Sequence, residues 1–480
     1  MISGEVWRMQ SDESLHAIES AAMALLTRGG ARIESDRLLD LASAAGCRVD
    51  RSAMRCWFTE KLVRDAVAKL GGTSTTAVSL QPGWNPAWRI THTGSHPHLL
   101  EWPSGKRRLA TRQDVTDMAR MAHMLPEFTA VGKVLTCSEV DQRVEPLWTN
   151  LEIARTTDKP PASGEVFFAD YLGDLVAMGE VLTGRKGEAC LIPACDFFVQ
   201  PLILERNQAA CFLRKRELGL EVCPGTMAVA GMSGPVTVAG TVALSLAELL
   251  AGWTLGYLVN PDLPAGGVVA TGSLDMRTMA ACFGSPEAIL QNVATCNAAL
   301  RLYGIHPWPI VSYTDCKRPG LLAAFNKMYG LLAAPFTQCR WIGGDGLLSA
   351  GQDYSPVQQM LDHEMSKAVE RFWGHFEVSS DTLATDLVLD MMARPATDFL
   401  STDHTFAHYA IEQWYPKWFD RTPWQGTAAE LESEAAMLSR IDQYCRDAIR
   451  RYEPPAIDQA KIRELERIYG AAEKRLLTAA

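Results

Sequence analysis

The chain has 480 residues, 47% of them hydrophobic and 21% charged, with a formal net charge of −10 at pH 7. That composition supports a large packed core and excludes disorder, collagen and coiled coil as global descriptions. The acidic balance offers no basic face to nucleic acid or an anionic membrane.

Residues 1–10 carry Glu5 and Arg8 and lack the apolar stretch of a secretory signal. Residues 12–75 read as helical. Apolar residues recur at helical spacing from Ser14 to Leu26, and Gly29-Gly30 ends the run. Two further helices are predicted over 36–45 and 59–70, each opening on a capping-type residue. Together they form an N-terminal helical cap over 1–75. Residues 76–110 change character, with Trp84, Trp88, Trp102 and the histidines His92, His96 and His98 among glycines and prolines. They predict a small β insert, with the histidines at a polar surface or interface.

Over 111–425 short apolar runs alternate with turns and helical stretches. The runs are 129–136, 165–169, 196–202, 220–228, 267–271, 305–312, 336–342 and 398–401. Continuous rather than alternating apolarity fits strands buried on both faces. Eight βα units predict an α/β protein with a closed (β/α)8 barrel, the TIM barrel; a doubly wound sheet is the alternative, without its GxGxxG signature. Residues 236–259 hold a single charge, Glu248, and are long enough to cross a membrane. They lack a Lys/Arg flank and are rich in small residues, which predicts a buried core helix and no membrane contact. Residues 426–480 read as a helical tail, an amphipathic hairpin broken at Pro454-Pro455 and suited to oligomer contacts. Twelve cysteines, spread from Cys47 to Cys445 with no CxxC pair, predict reduced thiols in a cytoplasmic protein.

Barrel enzymes place their chemistry just after the strands. There stand the turns of Gly231 to Gly234, Gly272 to Asp275, Ser312 to Asp315, Gly343 to Gly346 and Thr402 to His404. Aromatics flank them: Phe167, Phe168, Phe197, Phe198, Trp308, Tyr313 and Trp341. A mouth of glycines, acids and rings suits a cationic substrate, because ring faces hold a quaternary ammonium without hydrogen bonds. His404-x-x-x-His408 with Glu412 has the spacing of metal ligands but no evident third partner, and a capped helix start explains it equally. Asp362-His363-Glu364 reads as a solvated or salt-bridged helix face. No GxSxG, HExxH, P-loop or kinase motif occurs.

Several segments in order carry a resemblance. They are Gly231-Met-Ser-Gly-Pro-Val-Thr-Val-Ala-Gly-Thr241, Asn260-Pro261, Gly272-Ser-Leu-Asp-Met276, Phe283-Gly-Ser-Pro-Glu287, Thr314-Asp-Cys-Lys317, Leu361-Asp-His-Glu364, Phe399-Leu-Ser-x-x-His404-Thr405 and Trp414-x-Pro416-x-x-x-Asp420-Arg421. This pattern, over about residues 10 to 425, resembles the trimethylamine methyltransferase family in its branch without pyrrolysine. The resemblance implies a TIM barrel and methyl transfer from a methylated amine to the cobalt of a corrinoid carried by a partner protein, with no tightly bound metal. It further implies a quaternary amine of the glycine betaine kind as substrate, since such a nitrogen leaves without activation. Within it, Asp275 and Asp315 are the expected catalytic carboxylates. Trp308, Tyr313 and Trp341 are the expected aromatic wall, and His306 a partner for a substrate carboxylate. The turns at Gly231 and Gly234 and at Gly343 and Gly344 would admit the corrinoid face. After Lys317 the family commonly places an Asp and a Gln where Gly320 and Leu322 stand here. That departure leaves open a non-catalytic binding protein on the same barrel. A zinc-dependent barrel is a third alternative.

Overall fold

Small oxygen-bearing side chains start the first helices. The computed structural model describes residues 10–71, 92–337, 346–374, 376–394, 398–424, 426 and 432–478. In it α1 (Asp12–Ala24), α2 (Asp36–Ala44) and α3 (Glu60–Leu70) follow Ser11, Ser35 and Thr59. These side chains accept from the N–H groups of Ser14, Leu38 and Leu62. Between the helices run β1 (Ala31–Ile33), β2 (Arg48–Asp50) and β3 (Arg55–Trp57), with β3 antiparallel to both others. Three-residue strands are too short to register as an alternation in the sequence.

The chain continues through β4 (His98–Leu100), β5 (Arg107–Leu109), α4 (Arg112–Met124), α5 (Glu145–Thr156), α6 (Leu172–Thr183), β6 (Cys195–Phe197), β7 (Ile203–Leu204), α7 (Arg206–Glu217), β8 (Cys223–Thr226), β9 (Val229–Ala230) and α8 (Val238–Val259). Then come β10 (Val268–Val269), β11 (Gly272–Asp275), β12 (Ala280–Cys282), α9 (Pro286–Tyr303), β13 (Trp308–Pro309), α10 (Leu321–Ala333), β14 (Leu347–Leu348), β15 (Asp353–Tyr354) and α11 (Pro356–Trp373). The last helices are α12 (Ser380–Leu383), α13 (Thr385–Met392), α14 (Asp403–Glu412), α15 (Glu434–Arg450) and α16 (Gln459–Thr478).

The fold is mixed α/β, and among the described residues its strands make four short sheets rather than one closed ring of eight. The central sheet is parallel, in the order β6, β8, β10, β13. It contains four of the eight predicted runs. The run at 129–136 bridges the 92–96 segment rather than this sheet, with single parallel bridges from His92 to Val131 and from His96 to Leu135. The run at 165–169 leads into a 3-10 turn at Ala169–Tyr171, and 336–337 lie in another, Ala334–Thr337; residues 338–342 are outside the described residues. The run at 398–401 is a turn, not a strand. Asp398 accepts from Leu400 N, and the hydroxyls of Thr402 and Thr405 donate to the Phe399 carbonyl ahead of α14. Local side-chain acceptors there outcompete a ladder.

His92 and His96 are not at a surface. Both are buried, and burial pushes their imidazoles down to about 3 and about 4, so they are neutral at pH 7.

The apolar segment around Glu248 is the buried helix α8, the one described helix long and apolar enough to cross a membrane. Its small residues let it lie directly on β8. A Cβ at Gly252 would fall 2.3 Å from Pro224 Cβ, and one at Gly256 2.2 Å from Val222 Cγ1. Glu248 is 0% exposed. It accepts from Leu202 N at 2.9 Å, Thr226 Oγ1 at 2.7 Å and Gln200 Nε2 at 3.1 Å. Burial pushes its carboxyl up to about 7, beyond what these donors recover. A folded pKa above the unfolded value means the fold binds this proton more tightly. The stability so contributed is complete below the unfolded pKa and is lost as pH rises through about 7. Between pH 5 and 8 the wild type should therefore lose on the order of 3 kcal/mol relative to Glu248→Gln. Urea unfolding of both proteins across that range measures it; parallel pH profiles would contradict it.

The C-terminal hairpin uses its apolar stripes within the chain. Leu438, Ile441, Cys445 and Ala448 of α15 join the cluster that holds Val115, Met118 and Leu361. Ile462, Leu465, Ile468 and Ala472 of α16 close over Leu147, Leu151 and Leu175. These stripes are therefore core and are not left over for an oligomer.

Candidate active site

The two faces of the parallel sheet can be told apart by what touches them. Asp196, Val222, Pro224 and Thr226 meet the helices, through Lys215 and Arg216 of α7 and through Gly256, Gly252 and Glu248 of α8. Side chains alternate along a strand, so Cys195, Phe197, Cys223 and Gly225 face the opposite, inner side. Gly225 registers with Val268 and Val268 with Trp308, which puts Trp308 on the inner face as well. A Cβ at Gly225 would meet the Phe197 ring at 2.5 Å, so glycine there makes room for the ring.

The carboxyl ends of these strands gather most of the described candidates. Gly231 turns the chain after β9 at φ +85, and a Cβ there would lie 3.4 Å from Met276 Cε. Gly234 carries the carbonyl that receives Gly231 N at 3.0 Å. Asp275 ends β11 and accepts from Arg277 through backbone N at 2.9 Å and guanidinium at 3.0 and 2.8 Å. Those contacts hold it down to about 2. Asp315 accepts from Phe283 N at 2.8 Å and Gly284 N at 3.1 Å. Phe283 meets Tyr313 edge to face, with centroids 5.7 Å apart. A Cβ at Gly351 would lie 3.4 Å from the Tyr313 hydroxyl. Asp275, Asp315, Tyr313 and Gly231 are thus brought together. Both aspartates, expected as the catalytic carboxylates, accept hydrogen bonds from this chain's own donors. Asp275 thereby holds the turn to Arg277, and Asp315 holds the backbone at Phe283 and Gly284.

His306 precedes β13 and so lies toward the opposite end of that strand from Asp315. Burial pulls its imidazole down, which disfavours the cation that would pair with a substrate carboxylate. Trp341, Gly343 and Gly344 lie outside the described residues. Gly320 has a plain structural reason: its φ is +128, and the Glu434 carboxylate sits against it and accepts from Leu321 N. Among the described residues no group of three or more His, Cys, Asp or Glu is arranged to hold a metal ion. The His404 and His408 rings lie 4.4 Å apart, and His408 pairs with Asp381. Asp362 is a buried partner of Lys327 at 2.6 Å rather than part of a solvated face.

One carboxylate on the inner side escaped the sequence reading. Glu165 opens the apolar run at 165–169, a charge where a buried segment predicts none. That incongruity was its only signal. Its side chain is exposed, and after burial its charge is the next cause that raises the Cys195 thiol on β6.

The profile of the trimethylamine methyltransferase (MTTB) family matches residues 4–475. The chain belongs to this family. It is a methyltransferase. It is 26% identical over 411 residues to trimethylamine methyltransferase MttB of Desulfitobacterium hafniense (strain DSM 10664 / DCB-2), covering 83% of this chain and 81% of that protein. It is 23% identical over 467 residues to glycine betaine methyltransferase of D. hafniense (strain Y51), covering 94% of each. The monomethylamine methyltransferase MtmB of Methanosarcina barkeri superposes over 97% of this chain and 93% of its own, at a TM-score of 0.47 and 12% identity. That likeness is too loose to decide the architecture.

Proposed function

We propose that this member of the trimethylamine methyltransferase family belongs to the branch without pyrrolysine. In this reading it moves a methyl group from a quaternary amine of the glycine betaine class to Co(I) of a corrinoid held by a separate protein. One observation carries the reading. Among the described residues at the strand ends, the carboxylates of Asp275 and Asp315 are engaged by backbone and guanidinium donors of this chain. With those two carboxylates engaged, the reading favours a substrate whose nitrogen carries its positive charge as a fourth carbon substituent and leaves as a neutral amine without any proton transfer. The C–N bond breaks with its electron pair staying on nitrogen, and the carbon takes its new bond from the cobalt pair. A tertiary amine and a methyl-cobalt are the products. The protein's part is to hold the cation, align it and exclude water.

The corrinoid is a co-substrate of the partner protein. An exposed apolar rim of Met232, Val236, Met276 and Met279 around Gly231 suits the face of such a macrocycle. The parallel bridges at 92, 96, 131 and 161 support closure of the central sheet into a (β/α)8 barrel over 111–425, between the parts at 1–75, 76–110 and 426–480. So do the bonds from Ser349 and Ala350 N to the carbonyls of Cys316 and Thr314. Exposed Phe372, Phe376, Phe406 and Ile411 support a homo-oligomer through that face, and eleven described free cysteines support a cytoplasmic setting.

The test is product analysis. With glycine betaine and a Co(I) corrinoid protein, proton NMR should find dimethylglycine formed one for one with methyl-cobalt. Absence of both with every quaternary amine offered would refute the reading.

A further inference from the structure

From Phe372 to Lys417 no described residue is buried, although the stretch forms three helices, α12, α13 and α14. Its two ends are pinned to one helix, α11. Arg371 pairs with Glu412 at 2.7 Å, and Lys417 N donates to Glu364 at 2.6 Å. Of the twenty-seven large apolar side chains exposed among the described residues, thirteen lie in this stretch. Phe406 is 90% exposed, Leu400 82%, Met392 77% and Ile411 75%.

Such a surface needs a cover. Isolated helices shorter than about 12–15 residues are marginal in water, and these have four, eight and ten. The six aromatic side chains of the stretch alone leave on the order of 750 Å² open, taking about 200 Å² for a whole ring side chain. The largest apolar patch of a typical monomer is about 300–600 Å², and each side of a stable complex buries about 800 Å². The apolar stripes of α15 and α16 cannot supply the cover, because they already lie in the core. A partner that binds and leaves in every reaction cycle would bare the short helices each time. A second copy of the chain is a cover that stays, and symmetric pairs of like chains are the commonest assembly.

We propose that residues 372–417 form a docking arm that folds against the same arm of a second copy, so that association and the folding of α12 to α14 are one equilibrium. This rests on the homo-oligomer reading above and names the segment that makes it. The arm's acids are a small obstacle to two such surfaces meeting, since six of the seven are engaged locally. Asp381 faces His408 at 3.1 Å, Asp390 pairs with Arg394, Glu412 pairs with Arg371, and Asp398 accepts from Leu400 N. Asp386 and Asp403 stand in the first turns of α13 and α14, where the helix dipole favours an anion.

The test is sedimentation together with amide hydrogen exchange on the 480-residue chain. Wild type should sediment as a dimer or a multiple of one, with the amides of α13 and α14 protected. Dilution below the dissociation constant should expose those amides while α8 stays protected. Phe406→Asp combined with Ile411→Asp should raise the dissociation constant by about 100-fold or more, the scale of losing two buried anchors. That variant should lose protection in α13 and α14 at concentrations where wild type keeps it, and should keep it in α8. A variant that associates like wild type overturns the arm and leaves the homo-oligomer reading standing. A wild type that is monomeric at every concentration overturns both. Should the variant not fold, the dilution series of wild type decides alone. Protection of α13 and α14 that persists while the oligomer dissociates overturns the proposal.

Discussion

Replacing Asp196 by alanine should cost the folded state about 5 kcal/mol, at the upper end of what breaking a buried pair costs. Asp196 on β6 is 0% exposed. It holds Lys215 Nζ at 2.8 Å with one oxygen and Arg216 Nη2 at 3.0 Å with the other, and both cations are buried. Gln208 Nε2 donates to it as well, at 3.2 Å. Removing the one anion leaves two cations deep in the protein whose remaining hydrogen-bond acceptors, among the described residues, are the carbonyls of Ala194 and Cys195. A loss of this size is a large part of a domain's whole stability, which is about 5–15 kcal/mol. Urea unfolding measures it. Asp196→Leu combined with Lys215→Met and Arg216→Leu should recover most of the loss, because no unpaired charge then remains. A single mutant within 1 kcal/mol of wild type would mean the pair is solvated in solution.

The second large effect is on activity. Asp315→Ala should lower kcat/KM by about 100-fold, the scale on which a displacement of about 1 Å acts on a reacting group. Its two oxygens hold the N–H groups of Phe283 and Gly284, and the Tyr329 hydroxyl donates to the Gly284 carbonyl. This clamp fixes the Phe283 edge against Tyr313. A Cβ at Gly284 would lie 2.9 Å from Thr314 Cα, so the two segments touch backbone to backbone. Asp315→Asn keeps one acceptor and should fall between. Steady-state kinetics at saturating corrinoid protein gives the numbers. Equal kcat/KM in all three proteins would remove Phe283 and Tyr313 from the site.

Helices were readable because their signals are local. Ser35, Thr59 and the breaks after Leu26 and at Pro454-Pro455 place the ends of the cap helices and the tail within a residue or two. Strands of two to four residues carry little pattern, so runs such as 398–401 passed for strands on apolarity alone. The site was legible by position and not by role. Placing candidates just after the strands picked out Asp275, Asp315, Tyr313 and Gly231, which the fold brings to the same end of the strands. Whether a carboxylate is free depends on donors such as Phe283 N, 32 residues before Asp315. No local pattern reveals that.

The most direct measurement is the ratio of kcat/KM for glycine betaine to that for trimethylamine, read as methyl-cobalt formation with the same corrinoid protein. A pocket fitted to a nitrogen with four carbon substituents predicts a ratio above about 100, toward the upper end of what one missing carbon group costs in a fitted site. Trimethylamine turned over as well as the quaternary amine, or better, would contradict the account.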